Sequence, residues 1–216
     1  MTDSPDAPRL RDRQPKELRR EQLIQATIEV IGRKGYSGTT IADVASAAKL
    51  SRGIVNFHFD SKDKLFHATL QSMTEEYNAL WRRALAKAGR SPAARLRALV
   101  DADFDPALCT PRKISAWFAF MAEARPSAIY RKISGTRDDQ LLDAIRDQCT
   151  ALMAGSPHGY DPDPTARAIY ALLEGLWLRM MLEAPRFKRD HAHLVALTTL
   201  GLMFPNHFTP EGRIRS

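Results

Sequence analysis

Helical spacing of apolar residues in the first third of this chain constrains its fold more than any other feature. Leu23, Thr27 and Ile31 recur every four residues, which places them on one face of a helix predicted over about 16–34. Gly35 follows directly, and glycine is the residue type that most often ends a helix. The alternation of apolar and polar residues that is typical of strands does not stand out anywhere in the sequence. The sequence therefore predicts an all-α protein.

Two much shorter helices are predicted at 41–48 and 52–57, and a longer one begins at Lys62 and continues past Tyr77. A residue type that favours helix N-caps precedes each of these starts: Thr39 or Thr40, then Ser51, then Asp60 or Ser61. The turn at Lys49 is short, so the second and third helices must pack closely. Two short helices joined by a tight turn after a longer helix are typical of a helix-turn-helix module.

Beyond this module, helix starts are marked by a capping residue followed by proline: Ser91-Pro92, Thr110-Pro111 and Asp163-Pro164. Further starts are expected near Ser127 and Asp190, and residues 155–164 have the composition of a loop. We therefore expect an N-terminal three-helix helix-turn-helix domain and a C-terminal helical bundle. The predicted divisions are a disordered basic arm at 1–15, a DNA-binding domain at 16–62, a ligand-binding and dimerisation domain at 63–205, and a tail at 206–216.

Composition excludes several classes of protein. The 216 residues are 44% hydrophobic and 26% charged, which is typical of a globular chain rather than a disordered one. The most apolar stretch, 168–182, is interrupted by Glu174 and Arg179, so we expect no membrane span. The N-terminus lacks the apolar core of a secretory signal, which favours a cytoplasmic location. Net charge is +7, and basic residues concentrate between positions 9 and 20, which suits a polyanionic partner or a solvated tail.

The outer face of the predicted helix-turn-helix carries the residue types that recognise DNA. Once the apolar positions are packed, the residues left outside are Arg52, Gly53, Asn56, His58 and Lys62. Arginine binds guanine and asparagine binds adenine in the major groove, while lysine at a helix N-terminus can hold a phosphate. The same residues could also be ordinary surface of a helix bundle, but their order and spacing favour DNA binding.

The segment 23–65 resembles the DNA-binding domain of the TetR family of bacterial repressors. The resemblance rests on Lys34-Gly35-Tyr36, on Thr39-Thr40-Ile41-Ala42 with Val44-Ala45, and on Phe59 with Ser61-Lys62 and Leu65. It implies a homodimer whose third helices enter successive major grooves of a near-palindromic double-stranded operator. The DNA-binding residues we expect are Thr39, Thr40, Ser51, Arg52, Gly53, Asn56, Phe57, His58 and Lys62. The family often has tyrosine, whose hydroxyl binds phosphate, where this chain has Phe57.

The C-terminal part resembles BetI-type members of that family, which are choline-responsive repressors of glycine-betaine synthesis genes. The resemblance rests on the segments 103–105, 116–122, 129–131 and 174–179. Proteins hold a quaternary ammonium ion on aromatic faces, often beside a carboxylate. The expected ligand-binding residues are Asp103, Phe104, Trp117, Phe120, Met121, Tyr130, Glu174 and Trp177. Aromatic residues at helical spacing are more often plain core. BetI-type proteins also tend to have an aromatic residue at position 121, so a repressor that senses another drug or metabolite is the alternative.

Enzymatic function is not expected, because the chain lacks GxSxG, GxGxxG, CxxC and phosphate-binding loop motifs. Neither a cofactor nor a metal ion is expected: His191 and His193 point to different faces of one helix, and Cys109 and Cys149 lack metal-ligand spacing. A helical enzyme or adaptor remains the rival class. Helices at about 164–184 and 190–204 are apolar around much of their circumference, which predicts a homodimer through these C-terminal helices.

Overall fold

The computed structural model describes residues 16–124, 128–154 and 161–215, most of them in helices. The N-terminal part contains α1 (Lys16–Lys34), α2 (Ile41–Ala47), α3 (Arg52–His58) and α4 (Lys62–Lys87). These helices agree with the predicted ones to within a residue, apart from the end of α4, which the sequence left open. Gly35 ends α1 with a φ of +76°, a conformation that residues with a Cβ rarely adopt.

A side chain caps the N-terminus of each of α2, α3 and α4, and the structure shows which of the candidate residues is the cap. Thr40, rather than Thr39, caps α2: its hydroxyl accepts a bond from the Asp43 amide at 3.2 Å, and Asp43 accepts one from the Thr40 amide at 3.1 Å. Ser51 caps α3 and Ser61, rather than Asp60, caps α4. These bonds satisfy amides that have no partner within the helix and so stabilise helices too short to persist alone.

The C-terminal part contains α5 (Pro92–Asp103), α6 (Pro111–Ala124), α7 (Ala128–Met153), α8 (Pro162–Leu182) and α9 (Arg189–Met203). The predicted start of α8 at position 164 is wrong by two residues. Asp161 caps the helix, and Pro162, rather than Pro164, is its first residue. The start predicted near Ser127, the arm at 1–15 and most of the loop at 155–164 lie outside the described residues.

One hydrophobic core runs through both parts of the molecule. Helix α4 crosses from the helix-turn-helix into the bundle without interruption, and α1 packs along α6. The segment predicted as a tail folds back onto the bundle: Phe208 is fully buried and pairs with Ile214. Arg97 holds this segment by donating a hydrogen bond to the Gly212 carbonyl at 2.9 Å. Within the described chain, every helix is too short or too polar to cross a membrane.

Candidate functional site

Helix α3 presents a face that the rest of the protein leaves open. Val55 is fully buried and anchors the helix to the core, while Arg52, Gly53, Asn56 and Phe57 are exposed. Phe57 is 73% exposed, an unusual state for a phenyl ring in a monomeric protein. Four of the nine predicted DNA-binding residues therefore share one open surface on a short, capped helix.

Thr39 does not belong to this surface, and its assignment as a DNA-binding residue is corrected here. It is fully buried, and its hydroxyl donates to the Gly35 carbonyl at 2.7 Å. Thr39 therefore holds the turn between α1 and α2. The neighbouring Thr40 is exposed at the N-terminus of α2, and Ser51 is exposed at the N-terminus of α3.

His58 lies at the border between the surface and the core. Its Nδ1 is buried and has no hydrogen-bond partner among the described residues, and its ring meets that of Phe57 edge-on at a centre distance of 5.3 Å. Burial lowers the pKa of His58, and the nearby positive charges of Lys16 and Arg19 lower it further. A pKa below its ordinary value keeps His58 mostly uncharged near pH 7, so His58 adds little positive charge to the α3 surface.

Three basic side chains are positioned on aromatic rings around this surface. The Lys62 ammonium lies 5.0 Å from the ring centre of Phe66, and Lys16 lies 5.7 Å from that of Phe57. The Arg20 guanidinium lies 5.4 Å from the ring centre of Phe59. Cation–π contacts hold a charge in place while leaving its outer side open, so these groups suit phosphate binding.

A group of aromatic side chains joins the helix-turn-helix to the bundle. This junction cluster consists of Tyr36, Phe66, Phe120 and Tyr130. The hydroxyl groups of Tyr36 and Tyr130 are 2.7 Å apart and share a hydrogen bond. Ring centres within the cluster lie 4.9 to 6.3 Å apart, mostly edge-on. Lys62 contacts the cluster, because its ammonium also lies 5.7 Å from the Tyr36 ring centre.

A cavity that is partly open to solvent lies between α4, α5, α6, α7 and α8, and the space of about 350 Å³ between its walls includes solvent at its mouth. Its walls are mostly aromatic or aliphatic, with two carboxylates. The lining residues are Tyr77, Asp103, Trp117, Phe118, Met121, Leu141, Tyr170, Leu173, Glu174 and Trp177. None of these described lining residues is basic. Such a cavity suits a small cation that cannot donate hydrogen bonds.

Asp103 is the polar centre of this cavity. It is buried, and its carboxylate accepts a hydrogen bond from the Tyr77 hydroxyl at 2.5 Å. Its backbone carbonyl accepts bonds from the Trp177 indole and the Cys109 thiol, each at 3.2 Å. Burial, followed by the charge of Asp103, raises the pKa of the Cys109 thiol, so this cysteine remains protonated. The aromatic wall and the carboxylate are thus fixed to each other.

Five of the eight predicted ligand residues line this cavity: Asp103, Trp117, Met121, Glu174 and Trp177. Phe104, Phe120 and Tyr130 do not line it. Phe104 packs on His193 with ring centres 5.4 Å apart, whereas Phe120 and Tyr130 belong to the junction cluster.

The expected ligand-binding residues did not include the other lining residues, which are Tyr77, Phe118, Leu141, Tyr170 and Leu173. Tyr170 had a sequence signal, because it lies one helical turn before Glu174 and two turns before Trp177 and so shares their face of the helix. Tyr77 had no such signal, because it reaches the cavity from α4, far away in the sequence.

Comparison with known proteins adds two family matches. Residues 23–69 match the family described as bacterial regulatory proteins, tetR family. Residues 92–205 match the family described as BetI-type transcriptional repressor, C-terminal. Together the two matches include most of the residues that form the α3 surface and the cavity.

Similar sequences and structures agree with these matches. The HTH-type transcriptional regulator BetI of Burkholderia thailandensis is 34% identical over 188 residues, covering 87% of this chain and 94% of the relative. The BetI regulator of Stenotrophomonas maltophilia is 32% identical, covering 83% and 89%. A transcriptional regulator from Pseudomonas aeruginosa has the same fold, with a TM-score of 0.76 and 24% identity over 95% and 99% of the two chains. A regulator from Saccharomonospora viridis, solved in complex with choline, has a TM-score of 0.69 and 21% identity over 85% and 96%.

Proposed function

Because this chain belongs to the TetR family and carries a BetI-type repressor domain, we propose that choline, or a close quaternary ammonium relative, releases it from its operator. The chain is a transcriptional repressor, and its relatives are regulators rather than enzymes. The proposal concerns the identity of the ligand, the formation of a dimer and the residues that contact DNA.

The chemistry of the cavity is the observation that carries the choline assignment. A trimethylammonium group cannot donate a hydrogen bond, and it is bound through aromatic faces and carboxylates. Trp117, Tyr170 and Trp177 offer such faces, while Asp103 and Glu174 supply negative charge. Tyr77 keeps the Asp103 carboxylate in place through its 2.5 Å hydrogen bond. A ligand that carries its own carboxylate, such as glycine betaine, would meet like charges there and bind more weakly.

The similar proteins support the same ligand without establishing it. Two relatives that are 32% to 34% identical to this chain over most of their length are named BetI. The Saccharomonospora viridis regulator that shares this fold was solved with choline bound. At 21% identity, that structure supports the fold, and the residues of this cavity are the main support for choline.

The proposed dimer uses α8 and α9. Large apolar side chains are exposed on these two helices, at Leu178, Leu182, Leu194 and Leu202, with exposures from 38% to 75%. Water contact with such a row is unfavourable, and a second copy would bury it in a self-complementary four-helix interface. A dimer also supplies the two α3 helices that a near-palindromic operator requires, about 34 Å apart or at a multiple of that distance.

In the proposed complex, α3 lies in the major groove. Arg52 and Asn56 are one helical turn apart on its exposed face, so both can reach base edges. Thr40, Ser51 and Lys62 lie at the starts of α2, α3 and α4 and would contact phosphates. Phosphate contacts would fix the position of the protein, and the α3 residues would supply sequence discrimination.

Two helices connect the cavity to the DNA-facing part. Helix α4 begins at Lys62 and brings Tyr77 to the cavity, so a shift at one end moves the other. Helix α6 brings Trp117 and Met121 to the cavity, and its first turn packs against α1. A Cβ on Gly32 would lie 2.5 Å from the Arg112 carbonyl oxygen, so α1 and α6 touch backbone to backbone. A ligand that moves α6 would therefore move α1 and change the spacing of the two α3 helices.

Calorimetric titration tests the ligand assignment. We expect choline and betaine aldehyde to bind, and we expect glycine betaine and tetraphenylphosphonium, an unrelated lipophilic cation, to bind much more weakly. Glu174→Gln removes one carboxylate from the cavity and should weaken choline binding. Glu75→Gln makes the same chemical change on an exposed part of α4 and should leave it unaltered. Preference for the lipophilic cation would reject choline and favour a drug-sensing repressor.

Fluorescence anisotropy on the DNA upstream of the protein's own gene tests release. Specific binding that millimolar choline abolishes is the expected result. Specific binding that is indifferent to choline would contradict choline as the releasing ligand and leave the repressor intact. An absence of specific binding would contradict the assumption that the protein controls its own gene, and selection from random DNA would then supply the operator.

A further inference from the structure

We propose that α3 recognises thymine by its 5-methyl group, through a stripe formed by Gly53 and Phe57. This inference rests on the DNA-binding function proposed above. It concerns a base preference that Arg52 and Asn56 do not account for, because both of these side chains recognise purines. The stripe lies beside them on the same exposed face of α3.

Phe57 has the exposure and chemistry of a residue that is buried by a partner. It is 73% exposed and lies among polar DNA-facing residues. A phenyl ring has no group that can hydrogen-bond a phosphate or a polar base edge. The thymine methyl is the one apolar group that the major groove presents, and phenylalanine is among the side chains that contact it. Contact with that methyl would remove both apolar groups from water.

The ring of Phe57 is held in place before any DNA arrives. His58 contacts it edge-on at a centre distance of 5.3 Å, and the Lys16 ammonium lies 5.7 Å from its centre. The Lys16 contact brings a positive charge beside the ring, where a phosphate can be reached as the ring enters the groove. An aromatic side chain that is already ordered loses less conformational entropy on binding than a mobile one.

Gly53 lies one helical turn before Phe57 and therefore on the same side of α3. Its lack of a side chain is not required by the fold. Among the described residues, a Cβ there would meet only the Ser51 hydroxyl oxygen, at an ordinary contact distance of 3.7 Å. Glycine weakens a helix relative to alanine, so the open space at Gly53 has a cost in stability without a benefit inside the protein. Open space at this turn would let the helix approach the bases closely enough for Phe57 to reach a methyl group.

Replacement of thymine by uracil in the operator tests the proposal with the wild-type protein. The duplex is first selected by the protein from a random library and then synthesised with deoxyuridine at one symmetric pair of thymines at a time. Removal of a methyl that Phe57 covers should weaken binding roughly fourfold per half-site, or about 15-fold for the pair. Anisotropy titrations at constant salt measure the change.

Phe57→Ala should remove this sensitivity, so that the thymine and uracil duplexes bind equally. Because Phe57 is 73% exposed, the variant should fold, and its thermal unfolding curve checks this. Ile129→Ala, which truncates an exposed apolar side chain on α7, should keep the full uracil effect. Gly53→Ala should weaken binding to the thymine duplex and reduce the uracil effect, although it favours the helix.

The outcomes separate this inference from the function on which it rests. Specific binding with no uracil effect at any thymine overturns the thymine assignment and leaves the repressor intact. A uracil effect of equal size in the wild-type protein and Phe57→Ala also overturns it, because another group then covers the methyl. If the library yields no preferred sequence, both the DNA-binding role and this inference are overturned.

Discussion

The proposed DNA-facing surface and the proposed ligand cavity are built in opposite ways. The surface lies on α2 and α3, two helices of seven residues each. An N-cap side chain holds each helix by accepting a bond from the amide three residues further along the chain, and the side chains of the surface point into solvent. The cavity draws residues from five helices, α4 to α8, and many of these side chains are part of the core. On the surface, binding and stability depend on different side chains. In the cavity, the side chains that would hold the ligand also hold the bundle together.

Trp177→Ala should have the largest effect. The side chain is buried, its indole donates to the Asp103 carbonyl at 3.2 Å, and its ring contacts Tyr77 edge-on at 6.2 Å. We expect the free energy of unfolding to fall by about 3–5 kcal/mol, as for other buried aromatic residues changed to alanine. Choline binding should be lost as well. Urea unfolding and calorimetry measure the two losses on the same preparation.

Trp177→Phe sharpens this test, since it keeps an aromatic face and removes only the indole N–H. We expect a smaller loss of stability and partial retention of choline binding. If Trp177→Ala unfolds at the same urea concentration as the wild-type protein, the cavity wall is not part of the core. The contrast between the two regions would then be wrong.

Arg52→Ala should affect binding and spare stability. Arg52 is exposed in the first turn of α3, so its truncation should change the free energy of unfolding by no more than about 0.5 kcal/mol. Discrimination between the selected operator and a changed base pair should fall by roughly 1–3 kcal/mol. Anisotropy with matched and mismatched duplexes gives this value.

Arg83→Ala is the matched control, because Arg83 is an exposed arginine on α4 that the proposed DNA complex does not use. It should leave base discrimination unaltered. A weakening of binding by Arg52→Ala that is equal for all sequences would assign Arg52 to phosphate binding rather than base recognition.

The two regions also differ in how far the sequence predicts them. The helix-turn-helix depends on caps, a tight turn and apolar spacing, all of which are local, so its helices could be placed to within a residue. Thr39 is the one expected DNA-binding residue that the described structure buries completely. Two adjacent threonines both suit an N-cap, and only the packed structure shows that Thr39 faces inward while Thr40 caps α2.

The cavity could be predicted only in part, because helical periodicity gives the face of a helix but not the neighbour that covers it. The spacing of Trp117, Phe120 and Met121 predicts that they share one face of α6. In the structure α6 lies between the cavity and the helix-turn-helix. Trp117 and Met121 line the cavity, whereas Phe120 belongs to the junction cluster. The contribution of Tyr77 depends on how α4 and α5 pack, which the sequence alone does not specify.

Lys49→Gly should give a smaller effect, in the stabilising direction. Lys49 joins α2 to α3 with a φ of +54°, a left-handed conformation that is unfavourable for a residue with a Cβ. We expect a gain of about 0.5–1 kcal/mol in the free energy of unfolding, since glycine adopts this conformation without strain. Thermal unfolding measures it. Arg83→Gly, at an exposed position within α4, should have the opposite sign. A loss of stability in Lys49→Gly would show that the Lys49 side chain supports the turn.

The smallest expected effect is the response of the helix-turn-helix to acid through Asp43. The bond from Lys34 at 2.6 Å, followed by the bonds from Thr40, lowers the pKa of Asp43 from 3.8 to about 2. The contribution of the ionised carboxylate to stability is therefore complete above pH 3.8 and is lost as the pH falls toward 2. Asp43→Asn should be less stable than the wild-type protein near pH 6, and the difference should shrink in this acid range.

A constant difference between Asp43→Asn and the wild-type protein down to pH 2 would contradict the lowered pKa.

The Lys34–Asp43 bond is the place where α1 is tied to the cap of α2, so its loss should loosen the DNA-facing part first. Choline binding should survive in Asp43→Asn at neutral pH, because the cavity is held by contacts among α4 to α8 that this change does not touch. Loss of both activities together would mean that the two regions are stabilised as one unit.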